Sequence, residues 1–231
     1  MEDYDVDSLA AYLHLDPLKV ARMVTRGKIP GRKVGGKWRF SRAEIHHWLE
    51  ERMGVFDEGE LVRLETAMEK ADASAHADLT WEELTPPEAF AVPLVARSKA
   101  SVIKSMVELA SGTGMLWDPD RLEKAIRQRE DLYPTAVEGG VALLHPRRPL
   151  PDALEQPFLA LGKTVQGVPF GGSGLTDVFF LICSTDDRGH LRVLARLSRL
   201  LGTPDFLTEL RDAPDAAAAR ACLLDRAASL D

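Results

Sequence analysis

The chain has 231 residues, of which 45% are hydrophobic, and a formal net charge of −7 at pH 7. This composition supports packed cores and excludes a chain that is disordered throughout or basic throughout. No apolar run reaches membrane-spanning length, and the acidic N-terminus lacks the cationic start of a secretion signal, so we predict a cytoplasmic protein.

Charge is distributed unevenly along the chain. Nine Lys or Arg residues and no Asp or Glu occur between Pro17 and Arg42, whereas the stretch from Gly54 to Thr85 carries nine acidic residues. Such an asymmetry predicts a local nucleic-acid surface on an otherwise acidic molecule.

Two short helices are predicted at the N-terminus. Apolar residues at helical spacing outline the first helix: Leu9, Ala10 and Leu13. Asp16-Pro17 supplies an N-cap and a first-turn proline for the second helix, which ends at Gly27. Such a pair forms a helix-turn-helix unit. The cationic residues of the second helix suit phosphate contacts: Lys19, Arg22 and Arg26.

A basic hairpin with a Gly35-Gly36 turn is predicted next. Alternation along the strands places Val34, Trp38 and Phe40 on one face, which is expected to pack against the helices. The opposite face, with Lys37 and Arg39, is expected to meet the duplex. A capping box from Ser41 to Glu44 then opens a third helix.

Residues Val6 to Met53 resemble the excisionase-type, or MerR-like, winged helix-turn-helix module. The shared pattern is the helix pair, Gly27-Lys28-Ile29-Pro30, the hairpin sequence V-G-G-K-W-R-F, and a terminal helix with Trp-Leu. The resemblance implies binding to double-stranded DNA through the second helix and the hairpin. On the hairpin, the resemblance implies three candidate DNA-binding residues: Lys33, Lys37 and Arg39. A winged helix used for protein contacts is the alternative.

The segment from residue 54 to residue 78 is predicted to be a helical linker. Its modest apolar stripe comes from Leu61, Leu64 and Met68. A rigid spacer and a dimerisation helix both fit this pattern, so a second copy of the chain is a candidate partner. We therefore divide the chain into a DNA-binding domain (1–53), a linker (54–78) and a larger domain (79–231).

Helices alternate with buried strands in the larger domain, which predicts an α/β layered fold with a mixed sheet flanked by helices. An apolar stretch, Val141–Leu144, is typical of a short buried strand that stops at His145. Pro146 disfavours helical backbone at the residue before it, so we expect an exposed imidazole just past the strand, beside two arginines. A loop histidine without chemistry is the alternative.

A second histidine, His190, is predicted to open the helix after the buried strand Leu175–Cys183. Unpaired N–H groups at a helix N-terminus favour an anion. Ligands bind beyond the carboxyl ends of strands in such sheets, so His145 and His190 are expected to share a crevice. Neutral imidazole is a nucleophile, which suits phosphoryl transfer. No Cys or acidic third ligand stands out, so neither a metal nor a cofactor is predicted.

Three segments of this domain follow a family pattern: Arg129-Glu130 with Thr135 as R-E-x-x-x-x-T, Gly140–His145 as G-(I/V)-A-(I/L)-P-H, and the pair His190-Leu191. From Thr80 to Ala228 the chain is similar to enzyme IIA domains of the mannitol/fructose class, including the nitrogen-regulatory branch, of the bacterial phosphoenolpyruvate-dependent sugar phosphotransferase system. Leu144 replaces the family's proline, and Pro146-Arg147 replaces the usual small residue after the histidine.

The resemblance implies a role for each of three residues. His145 would accept the phosphoryl group, and His190 and Arg129 would orient and neutralise it. The histidine-containing phosphocarrier protein would be the donor. We predict a DNA-binding regulator in which phosphorylation of His145 tunes DNA binding. The alternatives are a phosphocarrier with a protein-docking N-terminal module, and a regulator whose IIA-like domain is a sensor that is not phosphorylated.

Overall fold

The computed structural model describes residues 3–13, 15–42, 44–45, 48–49, 79–171 and 174–230. The chain forms two compact units. Among the described residues no helix is both long enough and apolar enough to cross a membrane. The predicted linker lies outside these residues, so the domain division at residues 53 and 78 stays a prediction.

The N-terminal unit has the expected helix pair and hairpin. Its elements are α1 (Val6–Leu13), α2 (Pro17–Thr25), β1 (Arg32–Val34) and β2 (Lys37–Arg39). Asp16 caps α2 by accepting a hydrogen bond from the Leu18 amide at 2.8 Å, as its position before the proline predicts. Gly35 and Gly36 both have positive φ, which is the backbone that a two-residue hairpin turn requires.

The core of this unit joins both helices, the hairpin end and the following helical turns. Residues 42, 44, 45, 48 and 49 are helical. Fully buried side chains fill the centre: Leu9, Val20, Phe40, Ile45 and Leu49. Trp48 is half-buried, and its indole N–H donates to the carbonyl of Lys28 at 2.8 Å.

The predicted face assignment of the hairpin is wrong for Val34. The register pairs Val34 with Lys37 and Lys33 with Trp38. Directly opposed residues of an antiparallel pair share a face of the hairpin. The two-residue turn makes Val34 and Lys37 such a pair, although alternation along a single continuous strand would put them on opposite faces. Val34 therefore lies on the same face as Lys37, whereas Lys33 places its Nζ 5.1 Å from the centre of the Trp38 ring.

The larger unit is built on a mixed five-stranded sheet, which confirms the predicted fold class. The strands are β3 (Phe90–Ala91), β4 (Ala136–Val137), β5 (Val141–Leu144), β6 (Phe158–Pro169) and β7 (Leu175–Cys183). Their spatial order is β3-β6-β7-β5-β4. β5 is parallel to β7, and β6 is antiparallel to β7. The carboxyl ends of β5 and β7 therefore meet at one edge of the sheet.

The described residues from 79 onward form six further helices: α3 (Trp81–Leu84), α4 (Lys99–Ser111), α5 (Pro119–Leu132), α6 (Asp187–Leu201), α7 (Phe206–Asp212) and α8 (Ala216–Ala228). Ser98, Asp118 and Asp215 cap α4, α5 and α8, as their sequence positions predict. The start of α6 differs from the prediction, because the helix begins three residues before His190. Asp205 is the N-cap residue of α7.

Candidate functional site

Two histidines meet at the carboxyl edge of the sheet. His145 directly follows β5, and Ser184 directly follows β7, its parallel neighbour. His190 lies in the first turn of α6, six residues after Ser184. The ring centroids of His145 and His190 are 4.9 Å apart, with the planes inclined at 53°. The structure thus brings together the two histidines that the sequence analysis singled out.

The imidazole of His145 is held in one orientation. Its Nδ1 lies 2.7 Å from the carbonyl oxygen of Leu143. A carbonyl oxygen only accepts hydrogen bonds, so Nδ1 carries the proton in the neutral ring and Nε2 carries the lone pair. The geometry therefore presents Nε2 as the nucleophilic nitrogen.

The expectation that His145 is exposed is wrong. The residue is only 3% accessible, and its Nε2 atom is buried. The Leu143 hydrogen bond turns the ring back along β5, and the His190 ring packs against it. Arg147 and Arg148, two and three residues later, are exposed.

His190 is also buried, with 2% of its surface accessible. Its Nδ1 lies 3.2 Å from the hydroxyl of Ser184, which is itself buried. We expected unpaired N–H groups at the start of α6. Two of these groups are instead paired, because the carboxylate of Asp186 accepts hydrogen bonds from the amides of Arg188 and Gly189 at 3.0 and 2.8 Å. That hydrogen bonding also explains why the helix begins before His190.

Arg129 lies in the last turn of α5 and is almost fully buried. Its Nη1 donates to the carbonyl of Tyr133 at 2.7 Å, in the turn that leads to β4. Since β4 pairs with β5, this turn runs beside the strand that ends at His145. The turn that runs beside β5 therefore holds the side chain of Arg129 in place.

A buried hydrogen-bonded network connects α5 to this strand. One oxygen of Glu130 accepts from the amide and the hydroxyl of Thr135, and the other lies 3.0 Å from the ammonium of Lys99. The carbonyl of Thr135 in turn accepts from the amide of Leu143 at 3.1 Å. Glu130 and Thr135 thus position the residue whose own carbonyl holds His145.

Two members of the site, Ser184 and Lys99, were not predicted from the sequence. Ser184 could have been found as the residue that follows the buried strand, since polar side chains there face the ligand crevice. Lys99 had no such signal, because it comes directly after a helix N-cap far away in sequence. Among the described residues no group of three His, Cys, Asp or Glu side chains is arranged to hold a metal ion.

The candidate DNA-binding side chains lie on two elements of the N-terminal unit. Lys19, Arg22 and Arg26 are exposed on or just after α2, on the side opposite the buried Val20 and Val24. On the hairpin, Lys37 and Arg39 share a face with Val34, and Lys33 lies on the other face. This is a cationic helix next to a cationic hairpin.

Comparisons with known proteins cover both parts of the chain. Residues 83–225 match the family model described as phosphoenolpyruvate-dependent sugar phosphotransferase system, EIIA 2, and residues 4–53 match a helix-turn-helix domain model. A nitrogen regulatory protein of Bradyrhizobium diazoefficiens is 31% identical over 139 residues, which are 59% of this chain and 89% of that protein.

Solved structures share the fold of the larger unit. The crystal structure of IIA mannitol from Escherichia coli has a TM-score of 0.53 at 19% identity, covering 60% of this chain and 97% of that one. The nitrogen regulatory protein IIA-Ntr from Neisseria meningitidis has a TM-score of 0.51 at 20% identity, covering 61% and 97%.

Proposed function

The chain belongs to the EIIA 2 family of the phosphoenolpyruvate-dependent sugar phosphotransferase system through residues 83–225, and it also carries a helix-turn-helix domain at residues 4–53. We propose that it is a cytoplasmic DNA-binding regulator of transcription whose IIA-type domain accepts a phosphoryl group on His145. We further propose that phosphorylation alters the affinity for double-stranded DNA. The donor in this proposal is a histidine-containing phosphocarrier protein.

The observation that carries the proposal is the fixed tautomer of His145. The lone pair of Nε2 attacks the phosphorus atom of a phosphohistidine on the donor. A new N–P bond forms while the donor's N–P bond breaks, and its electron pair returns to the donor's imidazole. The proton on Nδ1 of His145 stays in place, and the carbonyl of Leu143 stabilises the positive charge that develops on the ring.

Electrostatic stabilisation of the transferred group is assigned to Arg129 and His190. Phosphoryl transfer depends mainly on positioning and on neutralising charge at the equatorial oxygens. Arg129 supplies a guanidinium at the end of α5, bonded to the turn that leads to β4, and the His190 ring lies against the acceptor ring. The exposed guanidinium groups of Arg147 and Arg148 add positive charge where the donor would approach.

The burial of Nε2 supports a coupling between phosphorylation and conformation. A phosphoryl group brings about two negative charges and three acceptor oxygens. An atom without exposed area cannot take on such a group unless neighbouring atoms move. Phosphorylation of His145 therefore changes the packing at the sheet edge, and in this proposal that change is the signal that alters DNA affinity.

The first test is intact-mass analysis of the full chain after incubation with phosphoenolpyruvate and the general phosphotransferase proteins. We expect an acid-labile gain of one phosphoryl group in the wild type and none in His145→Ala. An EIIA protein of known activity serves as the control for the donors. An unmodified wild-type chain beside a labelled control would overturn the acceptor role.

The second test is DNA binding by fluorescence anisotropy across a salt series, with and without phosphorylation. Each lost phosphate contact reduces the slope of log K against log salt by about 0.9, so Lys19→Gln and Arg22→Gln should both flatten it. Arg121→Gln, an exposed arginine of α5, is the matched control and should leave the slope unchanged. Identical affinities for the phosphorylated and unphosphorylated chain would contradict the coupling.

A second candidate function follows from the same burial. Because His145 and His190 are both buried, the structure is also compatible with a regulator whose IIA-type domain binds a partner or signal without being phosphorylated. Failure of His145 to label, together with salt-dependent DNA binding, would favour this candidate. An N-terminal unit that only docks proteins would instead show no salt-dependent binding to a duplex of random sequence.

A further inference from the structure

An acidic N-terminal segment lies along the basic hairpin. Tyr4 and Phe40 exchange two main-chain hydrogen bonds, each of 2.9 Å, so residues 3–5 extend the hairpin as an additional edge. Asp3 and Asp5 flank Tyr4, and alternate residues of an extended segment point to the same side. The segment therefore presents two carboxylates to the hairpin.

Each carboxylate pairs with one arginine of the hairpin. Asp3 Oδ2 lies 2.8 Å from Nη2 of Arg32, and Asp5 Oδ2 lies 3.6 Å from Nη1 of Arg39. The register places Arg32 directly opposite Arg39, so both arginine side chains lie on the same face of the hairpin. Lys37 belongs to this face as well.

The arrangement is a two-point anion site that already holds two anions. A guanidinium binds carboxylate and phosphate through the same planar fork of N–H donors. Side chains of the Arg32 pair and the Arg39 pair remain substantially accessible to solvent. Exposed ion pairs are weak, so another anion can replace the carboxylates.

We infer that Arg32 and Arg39 form a phosphate-binding pair for the DNA backbone, and that Asp3 and Asp5 occupy it as stand-ins for phosphates until DNA replaces them. This inference rests on the proposed DNA binding. It adds Arg32 to the interface, and it makes the two aspartates part of it. Because DNA must displace the carboxylates before its phosphates reach the two arginines, Asp3 and Asp5 lower the affinity for any sequence.

The anchoring of Asp5 keeps the segment in place. Its Oδ1 accepts from the amide and the hydroxyl of Ser8 at 2.9 and 2.7 Å, at the start of α1. These hydrogen bonds, and then the charge of Arg39, hold the pKa of Asp5 below its ordinary value. Asparagine keeps an oxygen that can accept from Ser8, so Asp5→Asn removes the charge without removing the cap.

The experiment measures anisotropy of the full chain with a labelled random-sequence duplex of about two helical turns. Asp3→Asn/Asp5→Asn should tighten binding about three- to tenfold and steepen the salt slope by up to about 1.8, because two uncompensated cations then face phosphate. The matched control, Asp7→Asn/Glu44→Gln, makes the same charge change at exposed residues outside the two pairs, and should gain at most about twofold because of screening.

A double-mutant cycle separates local pairing from general charge. Arg32→Gln should weaken binding, and in that background Asp3→Asn should have no effect. A gain from Asp3→Asn that persists without Arg32, or equal gains in the two double variants, would overturn the inference while leaving DNA binding intact. A wild type without salt-dependent binding would overturn the proposed DNA binding as well. Circular dichroism of each variant confirms its fold.

Discussion

Nδ1 of His145 lies 2.7 Å from the carbonyl oxygen of Leu143, the residue two positions before it on β5. The amide of Leu143 is itself bonded to the carbonyl of Thr135, whose side chain and amide are held by the buried carboxylate of Glu130. β5 thus positions His145 at its end and, through the Leu143 carbonyl, also fixes the tautomer of the imidazole.

This relationship predicts which nitrogen is modified. With Nδ1 donating to Leu143, only Nε2 has a lone pair for phosphorus. We expect long-range ¹H–¹⁵N correlation and ³¹P spectra of the phosphorylated chain to place the phosphoryl group on Nε2 of His145, and His145→Ala to lose the signal. A phosphoryl group on Nδ1 would require the Leu143 hydrogen bond to break, and would contradict the assignment.

Ser184 is expected to act as a positioning residue for His190. Its hydroxyl is buried 3.2 Å from Nδ1 of that ring, so Ser184→Ala removes the contact that orients the ring. A neutral hydrogen bond contributes about 0.5–1.5 kcal/mol, which predicts a phosphorylation rate about two- to thirteenfold lower at saturating donor. Ser184→Thr keeps the hydroxyl and should restore most of the rate. An unchanged rate in Ser184→Ala would exclude this role.

Glu130 should contribute strongly to stability because its carboxylate is buried between Lys99 and Thr135. Glu130→Gln places an amide N–H₂ where an acceptor is needed, and we expect a loss of about 1–3 kcal/mol in the free energy of unfolding. The matched control is Glu108→Gln. Its pair with Lys104 is exposed, so the change should stay below about 0.5 kcal/mol. Urea denaturation followed by circular dichroism measures both, and equal losses would refute a special role for Glu130.

Gly140, the residue directly before β5, has a backbone conformation that only glycine adopts easily. Its φ is +78°, and an added Cβ would lie 2.9 Å from Nη2 of Arg211 and 3.1 Å from the carbonyl oxygen of Leu175. Gly114 has nearly the same φ, +77°, but open space around it. Gly114→Ala should therefore cost only backbone strain, about 1–2 kcal/mol.

Gly140→Ala should lose about 1–3 kcal/mol more than Gly114→Ala, because it adds crowding to the same strain. The guanidinium of Arg211 is paired with Asp177 and cannot withdraw freely. Thermal unfolding of the two variants gives the comparison. Equal shifts in melting temperature would mean that the strand start tolerates the extra methyl group.

Local signals in the sequence predicted much of this protein. Asp16-Pro17 and Gly27 define α2, and Ser98 defines the start of α4, because caps and turn residues act on the backbone next to them. The apolar run that stops before His145 predicted β5, because a short uninterrupted apolar stretch is typical of a buried strand. Strands β3 and β4 escaped prediction, since two residues are too few for a periodic pattern.

Only the tertiary structure decided the features that depend on residues far apart in the chain. The sequence alone identified His145, His190 and Arg129 as candidates. Burial of His145 results from its contacts with Leu143 and His190, and the latter is 45 positions further along. The pairing of Arg32 with Asp3 likewise joins residues 29 positions apart. Side-chain type and spacing identify the groups available for chemistry, whereas the packing of distant segments sets their access to solvent and their ionic partners.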